Sequence, residues 1–286
     1  MYDNDITSKK TLQVVKIPPF DIYGSTPVRA MEQGAKHCEV LYMAKPAPGS
    51  KIQKISKEEY IDLRTGEVKA FKLNETKQRQ NLSETFRNLT GLIRANFDQD
   101  NEHRQLFITL TYAENMTDHH KLYDDFESWY RRLRKHCNGH QLEYIAVAEP
   151  QARGAWHMHV MIKSDKYFFV DNRDMEKLWK QGFTDTQRLK SDDVGRYYVA
   201  YFTDLFGEFG TTAKKKGARL PLYPVGMKFY RCSRGIVRPE MDDAEYSEIV
   251  ERWGKPSYRD AYEITDTETG EVVQRIQREH YKKGEK

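Results

Sequence analysis

The chain has 286 residues, 38% of them apolar, which is enough to bury a core in one large domain or two modest ones. Its net charge is only +4 although 31% of residues are charged, so any binding of polyanions has to rest on local patches. Cys38, Cys137 and Cys232 lack CxxC spacing, which argues against a disulfide framework or a zinc ribbon and points to a reducing, cytoplasmic setting. No apolar run approaches the length needed to cross a membrane, and the polar N-terminus gives no support to secretion.

Residues 1–80 are turn-rich, with Pro18-Pro19 and Pro46-Ala47-Pro48-Gly49, and a hairpin is expected around Arg64-Thr65-Gly66-Glu67. This stretch reads as an accessory region. From Asn81 the pattern becomes helical: Leu82, Phe86, Leu89 and Ile93 share one face, and Asn81 with Glu84 forms a candidate capping pair. Residues 106–113 alternate as a central antiparallel strand should. Asp118 is placed to cap a helix whose apolar side is Leu122, Phe126, Trp129 and Leu133. Arg131, Arg132, Arg134 and Lys135 crowd the end of that helix, either as a solvated C-terminus or as a phosphate-contacting patch.

Strands over 143–149 and 155–163 follow, joined by Pro150-Gln151-Ala152-Arg153-Gly154 in a hairpin. A short helix over 175–180 and a strand from Phe183 come next, and then a helix capped by Asp192 or Asp193 that carries Tyr197, Tyr198, Tyr201 and Leu205. The succession of elements predicts an α+β domain with a mostly antiparallel sheet over 81–210. Residues 211–286 read as a C-terminal accessory region, with a basic loop at Lys214, Lys215 and Lys216 and a hairpin over 220–231 turning at Val225-Gly226. The tail repeats a Thr-Gly-Glu turn at Thr269-Gly270-Glu271.

Chemistry concentrates in two places. His157 and His159 are two apart on a strand, so both imidazoles face one side, while Trp156, Met158 and Val160 face the other. Symmetric closure of the hairpin would pair residue 149 with 155 and 147 with 157, setting Glu149 diagonally from His157 on the same face. Two imidazoles and a carboxylate leave coordination positions open, as a catalytic divalent site requires. Two hydrogen-bonded imidazoles are the plainer reading of such a pair. The second place is the tyrosine helix: Tyr197 and Tyr201 are four apart and can reach one point, Tyr198 falls on the apolar stripe, and Tyr201 fits either role.

These residues resemble the HUH class of single-strand DNA endonucleases, and within it the rolling-circle replication initiators of plasmids, phages and integrative elements. Phe107-Ile108-Thr109-Leu110-Thr111-Tyr112 looks like the first motif of the class, His157-Met158-His159 like its histidine motif, and residues 194–200 like the segment carrying the nucleophilic tyrosine. The resemblance covers residues 80–240. One departure stands out, because the lysine often found three residues after the tyrosine is Ala200 here.

The resemblance implies a ferredoxin/RRM-like antiparallel sheet flanked by helices, with Glu149, His157 and His159 holding Mg2+ or Mn2+. It further implies attack by Tyr197 or Tyr201 on single-stranded origin DNA, a 5′-phosphotyrosine link and a free 3′-hydroxyl. A second same-face tyrosine would permit a second transfer. Arg153, Arg196 and Lys214 to Lys216 are candidate DNA contacts, and a host helicase and polymerase are implied partners. The absence of a GxxxxGK[ST] loop agrees with exchange of one phosphodiester for another, which needs no nucleotide cofactor. The competing readings are a conjugative relaxase or transposase with the same chemistry, a non-catalytic origin-binding protein, and an RNA-binding module, the last opposed by the lack of an RNP-type motif.

Overall fold

In a computed structural model of the chain, the described residues are 12–45, 52–54, 59–62, 68–70, 75–97, 103–151, 153–189, 223–224 and 227–283. The chain divides into two compact units, Met1–Leu82 with Pro239–Lys286, and Ser83–Arg238. Among the described residues no helix is long and apolar enough to cross a membrane.

The first unit is built by both ends of the chain. Strands β1 (Leu12–Ile17), β2 (Pro27–Gln33) and β3 (His37–Met43) join β12 (Asp242–Glu245), β13 (Tyr258–Asp266) and β14 (Val272–Lys282) in one sheet of order β1-β13-β14-β3-β2-β12. Every neighbouring pair is antiparallel. Helix α4 (Tyr246–Trp253) buries Tyr246, Ile249 and Trp253 with Val28, Cys38, Val40 and Tyr281, an i, i+3, i+7 stripe meeting the inward positions of the sheet. The Thr-Gly-Glu turn at 269–271 links β13 to β14, with Gly270 at φ 71° and its N–H donating to Asp266 O at 2.9 Å. A separate sheet of order β4-β5-β6 uses β4 (Ile52–Lys54), β5 (Glu59–Asp62) and β6 (Val68–Ala70); the last two are the antiparallel arms expected on either side of residues 64–67.

The second unit is an antiparallel five-stranded sheet of order β10-β7-β9-β8-β11, flanked by helices: the α+β architecture expected from the sequence. Its strands are β7 (Gln105–Thr111), β8 (Leu142–Pro150), β9 (Trp156–Ser164), β10 (Thr184–Arg188) and β11 (Tyr230–Cys232). The two faces of this sheet differ. Leu106, Ile108, Leu110, Ala146, Ala148, Met158, Val160 and Ile162 point to one side, fully or almost fully buried against α2 (His119–His136) and α3 (Asn172–Trp179). On α2 the buried stripe is Leu122, Phe126, Trp129 and Leu133, and Asp118 caps it by accepting from the N–H groups of His120 and Lys121. Those two backbone bonds hold the Asp118 carboxyl below its usual range.

Local expectations need correction in three places. Helix α1 runs Glu75–Asn96, so Asn81 lies inside it rather than at its start. The apolar repeat began only at Leu82, whereas backbone hydrogen bonding extends the helix over polar residues that periodicity does not register. Helix α3 begins at Asn172 rather than at 175, because Asp171 accepts from the Asp174 N–H at 2.9 Å. The β8–β9 hairpin pairs Glu149 with His157 and Val147 with His159, two residues further along β9 than symmetric closure gives. Gly154 at φ 84° and the bond from Gln151 N–H to Ala155 O lengthen the turn, the geometry that favours glycine at a bulged hairpin. The expected hairpin over 220–231 lies mostly outside the described residues; its last residues enter β11 and pair with β8. The expected helix through Tyr197 and Tyr201 also lies outside them.

Candidate active site

The register of β7, β9 and β8 builds two cross-strand rows on the face opposite α2. One row is Thr111, His157 and Glu149, and the next is Thr109, His159 and Val147. A two-residue shift in a hairpin preserves side-chain parity, so Glu149 stays on the histidine face even though its partner differs from the expected one. It lies directly across from His157 and diagonally from His159.

The diagonal pair is the one in contact. His159 Nε2 and Glu149 Oε2 are 2.7 Å apart, with Glu149 5% and His159 9% exposed. On the other side of the ring, Thr109 Oγ1 is 3.2 Å from His159 Nδ1, and Phe107 stacks on the imidazole with centroids 5.8 Å apart and planes within 7°. The arrangement suits an imidazole whose Nε2–H donates to Glu149 while Nδ1 accepts from the threonine hydroxyl. His157 is half-buried, its ring centroid 6.3 Å from that of His159. Thr109 and the stacking of Phe107 were not singled out as site features from the sequence; the signal was there, since alternation from Ile108 places both on the polar side of β7.

Whether these donors fit a divalent ion turns on distances. By type they do, with two imidazoles and one carboxylate on a common face of adjacent strands. Among the described residues, however, no group of three or more His, Cys, Asp or Glu side chains is arranged to hold a metal ion. The 2.7 Å contact is that of a proton-sharing pair. An ion about 2.0–2.2 Å from both atoms would require them to part to roughly 3–4 Å.

Around the site the strand ends are tightly fixed. Thr111 O accepts from Trp179 Nε1 at 2.9 Å, and Thr111 N–H donates to Phe183 O at 2.9 Å. Gly182, at φ 155°, lies so close to Thr111 and Ala113 that a Cβ there would collide with their backbone atoms. Tyr112, the last residue of the 107–112 motif, points to the core side. Its hydroxyl donates to Asp125 Oδ2 at 2.8 Å, and burial together with that carboxylate drives its pKa far up. Tyr123, Tyr130, Tyr144 and Tyr230 are likewise shifted up by burial, so none of these five is prepared to ionise as a nucleophile. Tyr230 pairs with Val147 and so joins the histidine face at its β11 edge, a placement that no periodicity in a three-residue strand could reveal.

Of the candidate DNA contacts, Arg153 is exposed in the β8–β9 turn, its Nε donating to Gln151 Oε1 at 3.0 Å. Arg196, Lys214, Lys215 and Lys216, and both Tyr197 and Tyr201, lie outside the described residues. The cations ending α2 divide in role. Arg132 donates to the carbonyls of Leu178 and Trp179 and closes the end of α3, while Arg131, Arg134 and Lys135 are exposed or half-exposed.

No curated protein and no solved structure matches the chain. Residues 105–206, from the first residue of β7 to beyond β10 and including positions 157, 159, 197 and 201, match the family described as replication-associated protein, ORF2 type, a similarity that supports a replication initiator.

Proposed function

We propose that this protein initiates rolling-circle replication by nicking single-stranded origin DNA, with Tyr197 as nucleophile and Tyr201 available for a second transfer. The observation that carries the reading is the convergence of Glu149, His157 and His159 on one face of three central strands, inside the segment similar to replication-associated proteins. The tyrosine oxygen attacks phosphorus, the bond from phosphorus to the 3′ oxygen breaks, and the departing oxygen takes up a proton to become a 3′-hydroxyl. The phosphate stays on the tyrosine as a 5′-phosphotyrosine ester, so one phosphodiester replaces another and no nucleotide is consumed.

A divalent ion, magnesium or manganese, held by Glu149, His157 and His159 would supply charge to offset that growing on the phosphate oxygens. The protein's own part is to hold and position. Thr109 and Phe107 fix the plane of His159, and the turn bearing Arg153 brings a cation to the strand ends where Glu149 and His157 sit. A free tyrosine, with a pKa of about 10, needs such alignment beside positive charge to react at neutral pH. Arg196 and Lys214 to Lys216 are proposed as phosphate contacts. The freed 3′-hydroxyl would prime a polymerase, with a host helicase opening the duplex ahead of it.

Incubation with single-stranded origin DNA, with and without manganese, followed by denaturing electrophoresis and peptide mapping, tests the reading. A metal-dependent adduct on Tyr197 or Tyr201 supports it. If wild type and His157→Ala both bind DNA and both leave it intact, the protein is an origin-binding factor without catalysis.

A further inference from the structure

The segment after β9 alternates in an unusual way. Phe168 and Val170 are buried in the core of the sheet, whereas Tyr167 and Phe169, pointing outward, are 66% and 49% exposed. Outward positions of such a segment are normally polar, and two large aromatic rings side by side on a surface mark a binding site more often than chance. Here the rings are also fixed. Phe168 N–H donates to His103 O at 3.1 Å, and the inward side chains anchor the backbone on both sides of Phe169.

A cation completes the group. The guanidinium carbon of Arg188, at the end of β10, is 5.1 Å from the centroid of Tyr167 and 5.1 Å from that of Phe169. His103 stacks on Tyr167 with centroids 6.4 Å apart and planes within 26°. The group lies away from the carboxylate–histidine site. Arg188 pairs with Leu106, three residues along β7 from Thr109, and β10 is two strands from β9. Strand spacings of about 4.8 Å and rises of about 3.4 Å per residue put the two sites roughly 14 Å apart.

We propose that Tyr167, Phe169 and Arg188 form a stacking platform for unpaired bases of the DNA strand being processed, with Arg188 contacting its phosphates. The inference rests on the preceding reading that the chain handles single-stranded DNA. An apolar protein partner would have to cover an arginine and a histidine, and a polyanion without bases would leave the rings unused. A single strand uses both, because every base offers a π-face and every linkage a negative charge. Planar guanidinium held over aromatic rings keeps its N–H edge directed outward, which fits phosphate recognition better than a flexible lysine would.

The test is fluorescence anisotropy of the full chain with a labelled thymidine oligonucleotide of about 20 nucleotides, in parallel with nicking of origin DNA at saturating concentration. The Tyr167→Ala/Phe169→Ala variant should bind roughly tenfold or more weakly while its melting temperature and its saturated nicking rate match wild type. Arg188→Ala should lower the salt dependence by about one phosphate contact. Tyr167→Trp should keep wild-type affinity and lose fluorescence when the oligonucleotide is added. Wild-type affinity in the double variant, or an unquenched signal from the introduced tryptophan despite binding, overturns the platform and leaves the nickase reading intact. Wild-type protein that neither binds nor nicks single-stranded DNA overturns both.

Discussion

Each unit of the molecule buries a glutamate, and the two are treated in opposite ways. Glu279, in the sheet made by the chain ends, is 1% exposed and ringed by donors: Tyr281 Oη at 2.5 Å, Gln277 Nε2 at 2.9 Å, Tyr246 Oη at 3.1 Å and Arg259 Nε at 3.1 Å. Glu149 is nearly as buried, yet it meets an imidazole held on its far side by a threonine hydroxyl, on a face that continues into a second histidine. A carboxylate saturated by hydroxyls, an amide and a guanidinium is locked in one protonation state and serves packing. A carboxylate facing imidazoles sits among groups that exchange protons or accept a metal near neutral pH. Burial alone therefore does not identify a functional acid; the partners do.

The comparison can be broken most severely at Glu149 and His159. Replacing either (Glu149→Gln or His159→Ala) should cut nicking of single-stranded origin DNA by roughly 10²–10³-fold in a gel assay, with little change in unfolding midpoint. Equal losses of stability and activity would instead make Glu149 a second Glu279. At Glu279 the expected result is the reverse. Glu279→Ala leaves two tyrosine hydroxyls and an arginine unsatisfied and should cost roughly 2–4 kcal/mol in denaturant unfolding.

A smaller effect is expected at Gly182. A methyl group there collides with the backbone at Thr111 and Ala113, so Gly182→Ala should lower stability by about 1–3 kcal/mol and disturb the β7 end that carries the site. The gentlest test is alkaline. Burial pushes the Tyr123 hydroxyl from its usual 10 up to about 12, against the pull of Arg231. Its folded pKa is raised, so its contribution to stability is whole below pH 10 and is lost as pH rises from 10 towards 12. Tyr112 shifts in the same direction, so Tyr123→Phe should flatten the decline in unfolding midpoint across that window without abolishing it.

Much of the second unit was legible in one dimension because its elements announce themselves locally. The cap at Asp118, the i, i+4, i+7 stripe of α2 and the alternation of β7 and β9 follow from spacing and sterics that the chain carries within a few residues. The common face of His157 and His159 belongs to the same class, since strand side chains repeat every two residues whatever surrounds them. The hairpin register did not, because it depends on the backbone adopted at Gly154, and a positive φ is permitted but not dictated by glycine.

By itself, then, the amino-acid sequence determined the α+β class, the faces of its strands and the residue types that could do chemistry. Only the tertiary structure decided which of them touch: that Glu149 meets His159 rather than His157, that Thr109 and Phe107 fix that ring, and that Tyr230 reaches the same face from β11. It also decided that Leu12–Ile17 pairs with Tyr258–Asp266, joining the two ends of the chain in one sheet. The physical reason is range. Propensity, capping and periodicity act over a few residues, whereas pairing between strands far apart in sequence is chosen by the burial and hydrogen bonding of the whole sheet, which no local pattern encodes.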